Sequence, residues 1–457
     1  MLKIENRIIQ SIFRIFSQAG KSVYLVGGSV RDLLMEKPLN DYDFATSATP
    51  SEIIKILRNS RIKTYPVGIN FGTVGAFIDK VELHITTFRK KEIYRGISRK
   101  PDVDFGSNIM EDLERRDFTI NTIAIGSDSK IIDPFKGRED LEQKLIRTPK
   151  NPDTAFADDS LRILRALRFQ SQLGFEIEEK TRSSLKKNAY RLLNLSSERI
   201  RDEMTKLLLG NHLELALENL MKNEVINYFI PELVPLKNLH EDSQLHHKDV
   251  WMHTVKVVKN CPLDEKIRWT ALLHDIAKPY VRTIGEKNVH FYRHEDLGAK
   301  MAWGILTRLR FSNQDRKHIC FLIRKHMRAN LYTSLWTDTA VRRFATKMGD
   351  KLSDILSISK ADITSYKKER VARKLQELSE LEGRCEKLIS AKESKFPITG
   401  DELMDKFNLS PSPLIGKMKN KILEAITSET LPENSENKEI YFEYIKKAFA
   451  SEISGKK

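Results

Sequence analysis

The fold is decided by the stretch YLVGGSVRDLLMEKPLNDYDFATSATP, which runs from Tyr24 to Pro50. It begins with a short apolar run that is typical of a buried strand, and two adjacent glycines, Gly27 and Gly28, follow directly. Two acidic residues, Asp41 and Asp43, come shortly afterwards and stand one residue apart. A simple strand-to-helix turn needs neither the second glycine nor the acidic pair, so the combination calls for a chemical explanation.

The two glycines are placed where a phosphate group could be bound. Glycine at the end of a strand lets backbone N–H groups approach an anion without an intervening Cβ atom. Arg31 lies one helical turn after Gly28 and can add a guanidinium group. This arrangement can hold a triphosphate, although a glycine pair taken alone is more often an ordinary turn.

The acidic pair has the spacing of a metal site. On an extended strand, Asp41 and Asp43 project their carboxylates from the same face, because side chains alternate between faces. Two such carboxylates repel each other, and a divalent cation relieves the repulsion. Mg²⁺ ions held in this way can bridge an attacking hydroxyl and a transferring phosphoryl group. A lone pair of this kind is usually a solvated loop, but its position after a candidate phosphate loop favours the magnesium interpretation.

The composition narrows the class of protein. The chain has 457 residues, too many for one ordinary core, and its 78 Lys and Arg outnumber its 63 Asp and Glu, giving a net charge of +15. The excess favours a polyanionic partner over an inert basic surface. No apolar run is long enough for a signal peptide or a membrane span. The three cysteines, Cys261, Cys320 and Cys385, lack CxxC spacing, which favours a reducing, cytoplasmic compartment.

The pattern along the chain predicts an α+β fold. Short β-branched or alternating runs fill the first third and predict one mixed sheet, whereas apolar residues recur at helical spacing from about Asp158 onward. Proline-bearing breaks at 229–249 and 392–403 separate helical segments. We predict a mixed-sheet head at 1–150, a helical neck at 151–228, a helical body at 229–390 and a helical tail at 391–457.

Two further segments carry charged side chains that suit a nucleotide. In LERRDFTINTIAI, Arg116 and Asp117 precede a predicted strand and offer a guanidinium for phosphate and a carboxylate for a ribose hydroxyl. The ordinary interpretation of this segment is a surface charge cluster that closes a loop.

The second segment, ADDSLRILRALRF, can be drawn as one helix with a buried apolar face. Asp159, Arg162, Arg165 and Arg168 then share the opposite side. Asp159 accepts and Arg162 donates, so together they match the base edges of cytosine and adenine and not those of guanine and uracil. The alternative is a surface ion pair of small energetic weight.

The helical half contains a series of metal-ligand residues. In chain order these are His253, the pair His274 and Asp275, His294, His326 and Asp362. A single histidine on an apolar helix is usually a core or surface residue, but six such side chains on successive helices favour a site. Imidazole and carboxylate ligands in a helical bundle can enclose a divalent metal that activates water for phosphoester hydrolysis. The ligand types do not identify the metal.

Together these motifs resemble the class II tRNA nucleotidyltransferase and bacterial poly(A) polymerase family, within the polymerase-β-like nucleotidyltransferases. The resemblance is carried by GGSVRD (27–32), DYD (41–43), RRDFTIN (115–121), IIDPFKGREDL (131–141) and DDSLRILRALRF (158–169). It implies a catalytic head, a neck with a base-reading helix and a tail that binds tRNA. It further implies Mg²⁺ as cofactor, CTP and ATP as substrates, and tRNA as the partner.

The resemblance also implies roles for particular residues. Asp41 and Asp43 would be catalytic and bind Mg²⁺; the nucleotide-binding set would be Gly28, Arg31, Arg116, Asp117, Asp159, Arg162, Arg165 and Arg168. Within that set, Asp159 and Arg162 would read the base. Asp158 stands where the family usually has Glu, and Thr122 where Ala is usual. Neither departure removes a proposed ligand.

The helical body resembles an HD phosphohydrolase domain, which some members of the same family contain. This resemblance implies His253, His274, Asp275 and Asp362 as metal ligands, with His294 and His326 as further ligands or phosphate contacts. It implies a second divalent metal and an additional phosphohydrolase activity. A degenerate domain without hydrolysis is the alternative.

Several activities remain open at this stage. The segment TTFRKKEIYRGISRKPDV (86–103) looks like the loop that CCA-adding and A-adding members share, which argues against CC addition alone. The further basic segments of poly(A) polymerases are not found, so tRNA is favoured over mRNA as the acceptor. The main prediction is CCA addition, and the alternatives are A addition alone or poly(A) synthesis. From other classes, the chain could be a phosphohydrolase with an RNA-docking head, or an RNA-binding protein with both sites inactive.

Overall fold

The computed structural model describes residues 6–39, 41–93, 102–237, 239, 249–284, 289–364, 367–393, 397–427, 430–432 and 435–454. The chain divides into two compact units, Met1–Cys320 and Phe321–Lys457. This division falls inside the predicted 229–390 body, so the four predicted domain ranges stay predictions.

The strands all belong to the first unit, as far as the described residues go. In chain order they are β1 (Val23–Val26), β2 (Tyr42–Thr46), β3 (Lys63–Tyr65), β4 (Thr73–Ile78), β5 (Val81–Thr87), β6 (Arg89–Ile93), β7 (Asp102–Phe105), β8 (Ala124–Gly126), β9 (Ile131–Ile132), β10 (Leu145–Ile146), β11 (Glu176–Ile177), β12 (Arg282–Ile284) and β13 (Val289–Phe291). Among them, seven form one sheet in the order β3-β4-β5-β2-β1-β8-β9. Within it β2 and β5 run parallel and the other neighbours run antiparallel. The predicted mixed sheet is confirmed.

Helices surround this sheet and fill the rest of the first unit. They are α1 (Arg7–Gln18), α2 (Gly28–Leu34), α3 (Pro50–Asn59), α4 (Ile109–Glu114), α5 (Gly137–Glu142), α6 (Pro152–Asp158), α7 (Leu161–Leu173), α8 (Glu179–Asn188), α9 (Ser197–Leu208), α10 (Leu213–Lys222), α11 (Val250–Asn260), α12 (Glu265–Leu273), α13 (His294–Arg308) and α14 (Asn313–Lys325), the last of which crosses into the second unit. Together with the sheet they confirm the α+β fold class.

The core of the head follows directly from the amphipathic patterns. On α1, Ile9, Ile12 and Phe16 are fully buried and pack with residues of the central strands, such as Leu25 and Phe44. Helix α3 begins at a capping box, in which the Thr49 side chain accepts from the Glu52 N–H while the Glu52 side chain accepts from the Thr49 N–H. The helices therefore pack on the sheet and bury its apolar residues. Strands β1 and β2 are neighbours near the middle of the sheet.

The second unit is helical in its described part. Its helices after α14 are α15 (Asp338–Met348), α16 (Leu352–Ala361), α17 (Lys368–Glu393), α18 (Gly400–Phe407), α19 (Pro413–Thr427), α20 (Glu439–Ala448) and α21 (Ala450–Ser454). One apolar cluster includes Tyr332, Phe344 and Leu381, and another includes Leu403, Met418 and Tyr441. The second of these clusters lies within the range predicted for the tail.

No helix in the described ranges is both long enough and apolar enough to cross a membrane.

Candidate active site and candidate metal centre

The turn between β1 and α2 requires glycine at its first position. Gly27 has a backbone φ angle of +68°, which residues with a Cβ atom rarely adopt. A Cβ atom at Gly27 would lie 2.8 Å from Nη1 of Arg116, which is too close for an ordinary contact. Gly28 is the first residue of α2. The glycine pair therefore leaves room for a guanidinium group directly beside the turn.

Ser29 joins this turn to the strand that carries the acidic pair. Its hydroxyl donates to the backbone carbonyl of Asp41, with an O···O distance of 3.0 Å, and accepts from the backbone N–H of Asp43 at 2.9 Å. Only 2% of Ser29 is exposed, so water cannot replace these bonds. The sequence motifs do not include Ser29, and its position directly after the glycine pair is its one local signal.

Asp41 directly precedes β2 and Asp43 is its second residue. Tyr42 between them is buried, so Asp41 and Asp43 alternate away from the core. Asp43 is on β2 opposite His84 of β5, and Nδ1 of His84 lies 3.6 Å from Oδ1 of Asp43. The hydrogen bond with Asp43 raises the pKa of His84. Two carboxylates beside an imidazole at a half-exposed position form a donor set that fits a divalent cation.

The Asp43 side chain lines a cleft of about 320 Å³, whose other lining residues include several arginines. Its lining residues are Gly27, Gly28, Asp43, Arg115, Arg116, Asp117, Asn121, Asp159, Leu161, Arg162, Arg165 and Arg199. The volume lies within the range of ordinary small-ligand sites. The structure thus brings together six of the eight predicted nucleotide-binding residues and one of the two predicted metal ligands in one cleft.

Arg116 is held in the cleft by a buried carboxylate that the sequence analysis missed. Asp112, on α4, is fully buried and accepts from Nη2 of Arg116 at 2.9 Å and from Nη2 of Arg115 at 2.7 Å. Burial opposes the charge, but the two guanidinium groups hold the pKa of Asp112 well below its usual range. Asp112 therefore stays ionised and fixes both arginines.

Asp117 connects the head to helix α7. It is buried, receives a hydrogen bond from Nε of Arg165 at 2.8 Å, and accepts from Nδ2 of Asn121 at 2.9 Å. Burial again opposes the charge, and the paired Arg165 guanidinium lowers the pKa of Asp117 well below its usual range. Since Oδ2 of Asp117 is engaged by Arg165, the carboxylate orients the arginine as well as facing the cleft.

The other two predicted nucleotide-binding arginines, Arg31 and Arg168, are not among the described lining residues of the cleft. Arg31 donates through Nη1 to Oδ1 of Asn121 at 2.9 Å. Arg168 is buried, and its Nε lies 3.3 Å from Oε2 of Glu203. Burial lowers the pKa of Arg168 to about 10. Both guanidinium groups lie over the ring of Phe169, at 5.3 and 4.4 Å from its centroid, so both pack against a side chain of α7.

The helix that contains Asp159 differs from the prediction. Helix α6 ends at Asp158 and α7 begins at Leu161, and Asp159 lies between them with extended backbone angles of φ −144° and ψ 105°. The single helical wheel was therefore wrong at its first turn. The Asp159 carboxylate caps the Leu161 N–H at 3.0 Å, which starts the second helix.

A further arginine completes this corner of the cleft. Nη2 of Arg199, on α9, lies 3.2 Å from Oδ2 of Asp159. Arg162 donates to the backbone carbonyls of Ala155, at 3.4 Å, and of Arg115. Asp159 and Arg162 are thus both positioned by partners and both line the cleft, although not as an i,i+3 pair on one helix.

A second cluster in the first unit contains four of the predicted metal ligands. Oδ2 of Asp275 lies 3.1 Å from Nε2 of His274 and 3.5 Å from Nε2 of His253, and the two imidazole nitrogens lie 3.4 Å apart. Nε2 of His294 lies 3.5 Å from Oδ1 of Asp275. Ligands about 2.1 Å from a shared metal ion are spaced at roughly these distances, so the cluster has the dimensions of a metal site.

The ring orientations support the same interpretation. Nδ1 of His274 lies 2.7 Å from the carbonyl oxygen of Ala271, and Nδ1 of His294 lies 2.9 Å from that of Phe291. These contacts place the ring proton on Nδ1 and direct the Nε2 lone pair toward the cluster, as metal ligands require.

Lys278 adds a positive charge to the same cluster, with Nζ 2.7 Å from Oδ2 of Asp275. Burial opposes ionisation of Asp275, but the His274 ring and Lys278 hold its pKa well below the usual range. Asp275 is therefore an anion at neutral pH, which is the form that binds a metal.

The last two predicted ligands of this site belong to the second unit. Nδ1 of His326 lies 2.7 Å from the carbonyl oxygen of Ile323, the same orientation as in His274. Oδ2 of Asp362 lies 3.4 Å from Nδ2 of Asn330. Their participation in the metal site stays a prediction.

The loop predicted at 86–103 lies partly outside the described residues. Its ends form the antiparallel pair β6 and β7, with Ile93 opposite Asp102, and residues 94–101 are not described.

Three family models match consecutive parts of the chain. The poly A polymerase head domain matches residues 23–147, the probable RNA and SrmB-binding site of polymerase A matches 174–236, and the HD domain matches 250–367. The sheet with its glycine turn and acidic strand is the part covered by the first model. Fold and site therefore define a protein with a polymerase-type nucleotidyltransferase head, an adjoining RNA-binding segment and an HD domain.

Relatives of known name narrow this class. A CCA-adding enzyme from Staphylococcus epidermidis is 34% identical over 281 residues, which cover 58% of this chain and 69% of the relative. A CCA-adding enzyme from Anoxybacillus flavithermus is 41% identical over 227 residues, which cover 50% of this chain and 56% of the relative. The chain belongs to the CCA-adding enzyme family. Across the first three relatives, the match spans only 52% to 64% of the relative's own length.

A match to a solved structure covers nearly all of the chain. The crystal structure of the Bacillus stearothermophilus CCA-adding enzyme in complex with CTP matches with a TM-score of 0.68 and 24% identity, covering 99% of this chain and 100% of that one. This similarity supports the fold for the second unit as well as for the first.

Proposed function

We propose that this chain is a tRNA nucleotidyltransferase that adds CCA to tRNA 3′ ends, using CTP and ATP. The observation that carries the proposal is the cleft itself, in which the glycine turn, Asp43, Asp159 and five arginines surround one space. Membership in the CCA-adding enzyme family supports the choice of reaction. A docking module would have no use for two adjacent carboxylates whose repulsion costs stability.

In the proposed reaction, the terminal 3′ hydroxyl of the tRNA attacks the α-phosphorus of the bound nucleotide. The new O–P bond forms as the bond to the leaving pyrophosphate breaks, and the hydroxyl proton passes to solvent. A divalent cation held by Asp41 and Asp43 would stabilise the charge that develops on the phosphoryl oxygens. Arg116 faces the cleft and is fixed by Asp112, so it is placed to hold the triphosphate.

Selection of C and A is proposed to rest on Asp159 and Arg162. The two carboxylate oxygens have about four acceptor positions, and Arg199 and the Leu161 N–H use only part of them. The Arg162 guanidinium has five N–H groups, of which those directed at backbone carbonyls are only part. Together they can accept from an exocyclic amino group and donate to the adjacent ring nitrogen. Exchanging the two side chains should admit GTP or UTP, and unchanged selection of CTP and ATP in that double variant would refute the base-reading proposal.

One incubation series tests the activity. Transcripts of tRNA ending at the discriminator base, in C and in CC are each given a single labelled nucleotide, CTP or ATP. CCA addition predicts that CMP enters the first two and AMP only the third. An enzyme that adds A alone would label only the last transcript, and a poly(A) polymerase would extend it into a ladder. Asp41→Ala should abolish incorporation while leaving the tRNA dissociation constant unchanged; retained incorporation would reject the metal assignment.

We also propose a second, metal-dependent phosphohydrolase activity at the cluster of His253, His274, Asp275 and His294, which is called the HD cluster below. The 3.1 to 3.5 Å spacing of the His253, His274 and Asp275 donor atoms supports it. Hydrolysis of a phosphodiester or phosphomonoester in the presence of added divalent metal, lost after chelation and restored by metal, would test the activity. Nucleotide addition by the same preparation provides the internal control. The cytoplasmic location expected from the cysteine pattern stays part of the proposal.

A further inference from the structure

We infer that His84 supplies a ring nitrogen to the divalent cation that Asp41 and Asp43 would hold, so that the site favours first-row transition metals more than an all-oxygen site would. The inference rests on the proposed function and adds to it the chemical type of a third ligand. It concerns a residue that the sequence patterns did not single out.

The sheet places His84 next to Asp43 through the register of its parallel pair. Strands β2 and β5 pair with Asp43 directly beside His84. Side chains at such neighbouring positions emerge on the same face of the sheet, about 5 Å apart at Cβ. Nδ1 of His84 lies 3.6 Å from Oδ1 of Asp43, and the side chains are 32% and 44% exposed. Both groups therefore reach the same half-exposed position, which an ion can enter from solvent.

The other ring nitrogen of His84 is held by a carboxylate. Nε2 lies 3.4 Å from Oε1 of Glu82, and the Glu82 carboxylate in turn accepts from the hydroxyl of Tyr65. The Tyr65 ring stacks on Phe77 with centroids 4.9 Å apart. This contact restrains the Tyr65 side chain and, through its hydroxyl, the Glu82 carboxylate. A carboxylate on Nε2 can hold a proton there, so Nδ1 can exchange its contact with Asp43 for a bond to a cation placed between the two side chains. This carboxylate–histidine pair is the usual support for a metal-bound imidazole.

A nitrogen donor changes which metal is preferred. Mg²⁺ prefers oxygen ligands, whereas imidazole raises affinity for transition metals along the Irving–Williams series. Exchange of His84 for glutamate would restore an all-oxygen set, and exchange for alanine would remove the third ligand. Glu82 acts only through His84 and is a positioning residue, so Glu82→Gln should weaken metal binding less than His84→Ala.

The test uses the full chain and Mn²⁺ alone as the probe. Electron paramagnetic resonance measures free Mn²⁺ during titration, and Mg²⁺ is then added as competitor. The binding step that disappears in Asp43→Asn identifies the head site and separates it from the HD cluster. For this step, His84→Ala should raise the Mn²⁺ dissociation constant ~10-fold or more. His84→Glu should retain Mn²⁺ binding but let Mg²⁺ displace Mn²⁺ at ~10-fold lower concentration. His290→Ala, an exposed histidine on β13, is the matched control and should change neither value.

Pulsed electron paramagnetic resonance gives a second readout, which would not change if His84 had only a structural role. The difference spectrum between the natural chain and Asp43→Asn should show nitrogen hyperfine coupling to Mn²⁺, and His84→Glu should lose it. An unchanged dissociation constant in His84→Ala, or nitrogen coupling that survives His84→Glu, would overturn the assignment of His84 and leave the proposed transferase intact. A titration that Asp43→Asn does not alter would overturn the head metal site itself, and with it both proposals.

Discussion

Replacement of Ser29 by alanine tests whether the hydroxyl holds the acidic strand against the glycine turn. The substitution removes two hydrogen bonds, of 3.0 Å to the Asp41 carbonyl and 2.9 Å from the Asp43 N–H. At about 0.5–1.5 kcal/mol for each bond, the free energy of unfolding should fall by about 1–3 kcal/mol. The site is buried, so water cannot compensate for the loss.

The catalytic effect should exceed the effect on stability. Asp43 carries its carboxylate on the backbone segment that Ser29 restrains, and a displacement of about 1 Å near reacting groups costs roughly 100-fold in rate. Urea unfolding measures the first quantity, and single-turnover incorporation of labelled AMP measures the second, with tRNA affinity expected to stay unchanged. Ser47→Ala is the matched control, because its hydroxyl makes one exposed hydrogen bond, 3.1 Å from the Ser22 N–H. If Ser29→Ala behaved like Ser47→Ala in both assays, the proposed role of Ser29 would be refuted.

Three further predictions concern the glycine turn, the buried Asp112 carboxylate and the histidine cluster. Gly27→Ala should lower the free energy of unfolding by about 1–3 kcal/mol because of its positive φ and its 2.8 Å contact, whereas Gly28→Ala, whose Cβ would meet its nearest neighbour at 3.4 Å, should stay within about 1 kcal/mol in the same urea experiment. The lowered pKa of Asp112 stabilises the fold at pH values above the unfolded pKa of about 3.9, so the stability difference between the natural chain and Asp112→Asn should shrink as pH falls below that value; a constant difference would contradict this. His274→Ala should abolish hydrolysis of bis(p-nitrophenyl) phosphate and leave CCA addition unchanged, while His290→Ala preserves both; hydrolysis that persists in His274→Ala would place the activity elsewhere.

Several strands of the seven-stranded sheet could be located from local pattern. The segments VELHITT and TVGAFI form β5 and β4, and both have the β-branched or alternating apolar residues that predict a strand in the first third of the chain. The run TINTIAIG was only partly a strand, because Thr119–Asn121 forms a 3₁₀ turn before β8. In this turn Asn121 donates to Asp117, four residues earlier, and accepts from Arg31, which belongs to a distant segment of the chain.

The candidate site was predicted best where its chemistry lies within a few residues. The glycine pair and the acidic pair were recognisable because spacing along one strand or turn decides which side chains face together. Arg199 and His84 were missed for the opposite reason, because each acts on a predicted residue from another element, and a basic or aromatic residue on a helix or strand carries no local signal of such a partner. Asp112 was missed although it precedes Arg115 and Arg116 by only three and four residues, because such a pair is usually a weak surface contact and only tertiary packing decides that this one is buried.

The sequence by itself determined the class of chemistry, because two carboxylates after a glycine turn, several arginines in the neighbouring motifs and a series of histidines can each be recognised locally. It also determined the α+β arrangement, because periodicity of apolar residues depends only on near neighbours. Only the tertiary structure decided which groups share one space. The parallel register put His84 beside Asp43, and the break before Leu161 turned Asp159 toward Arg199. Sheet register and helix packing depend on contacts between segments far apart in the chain, which no local pattern encodes.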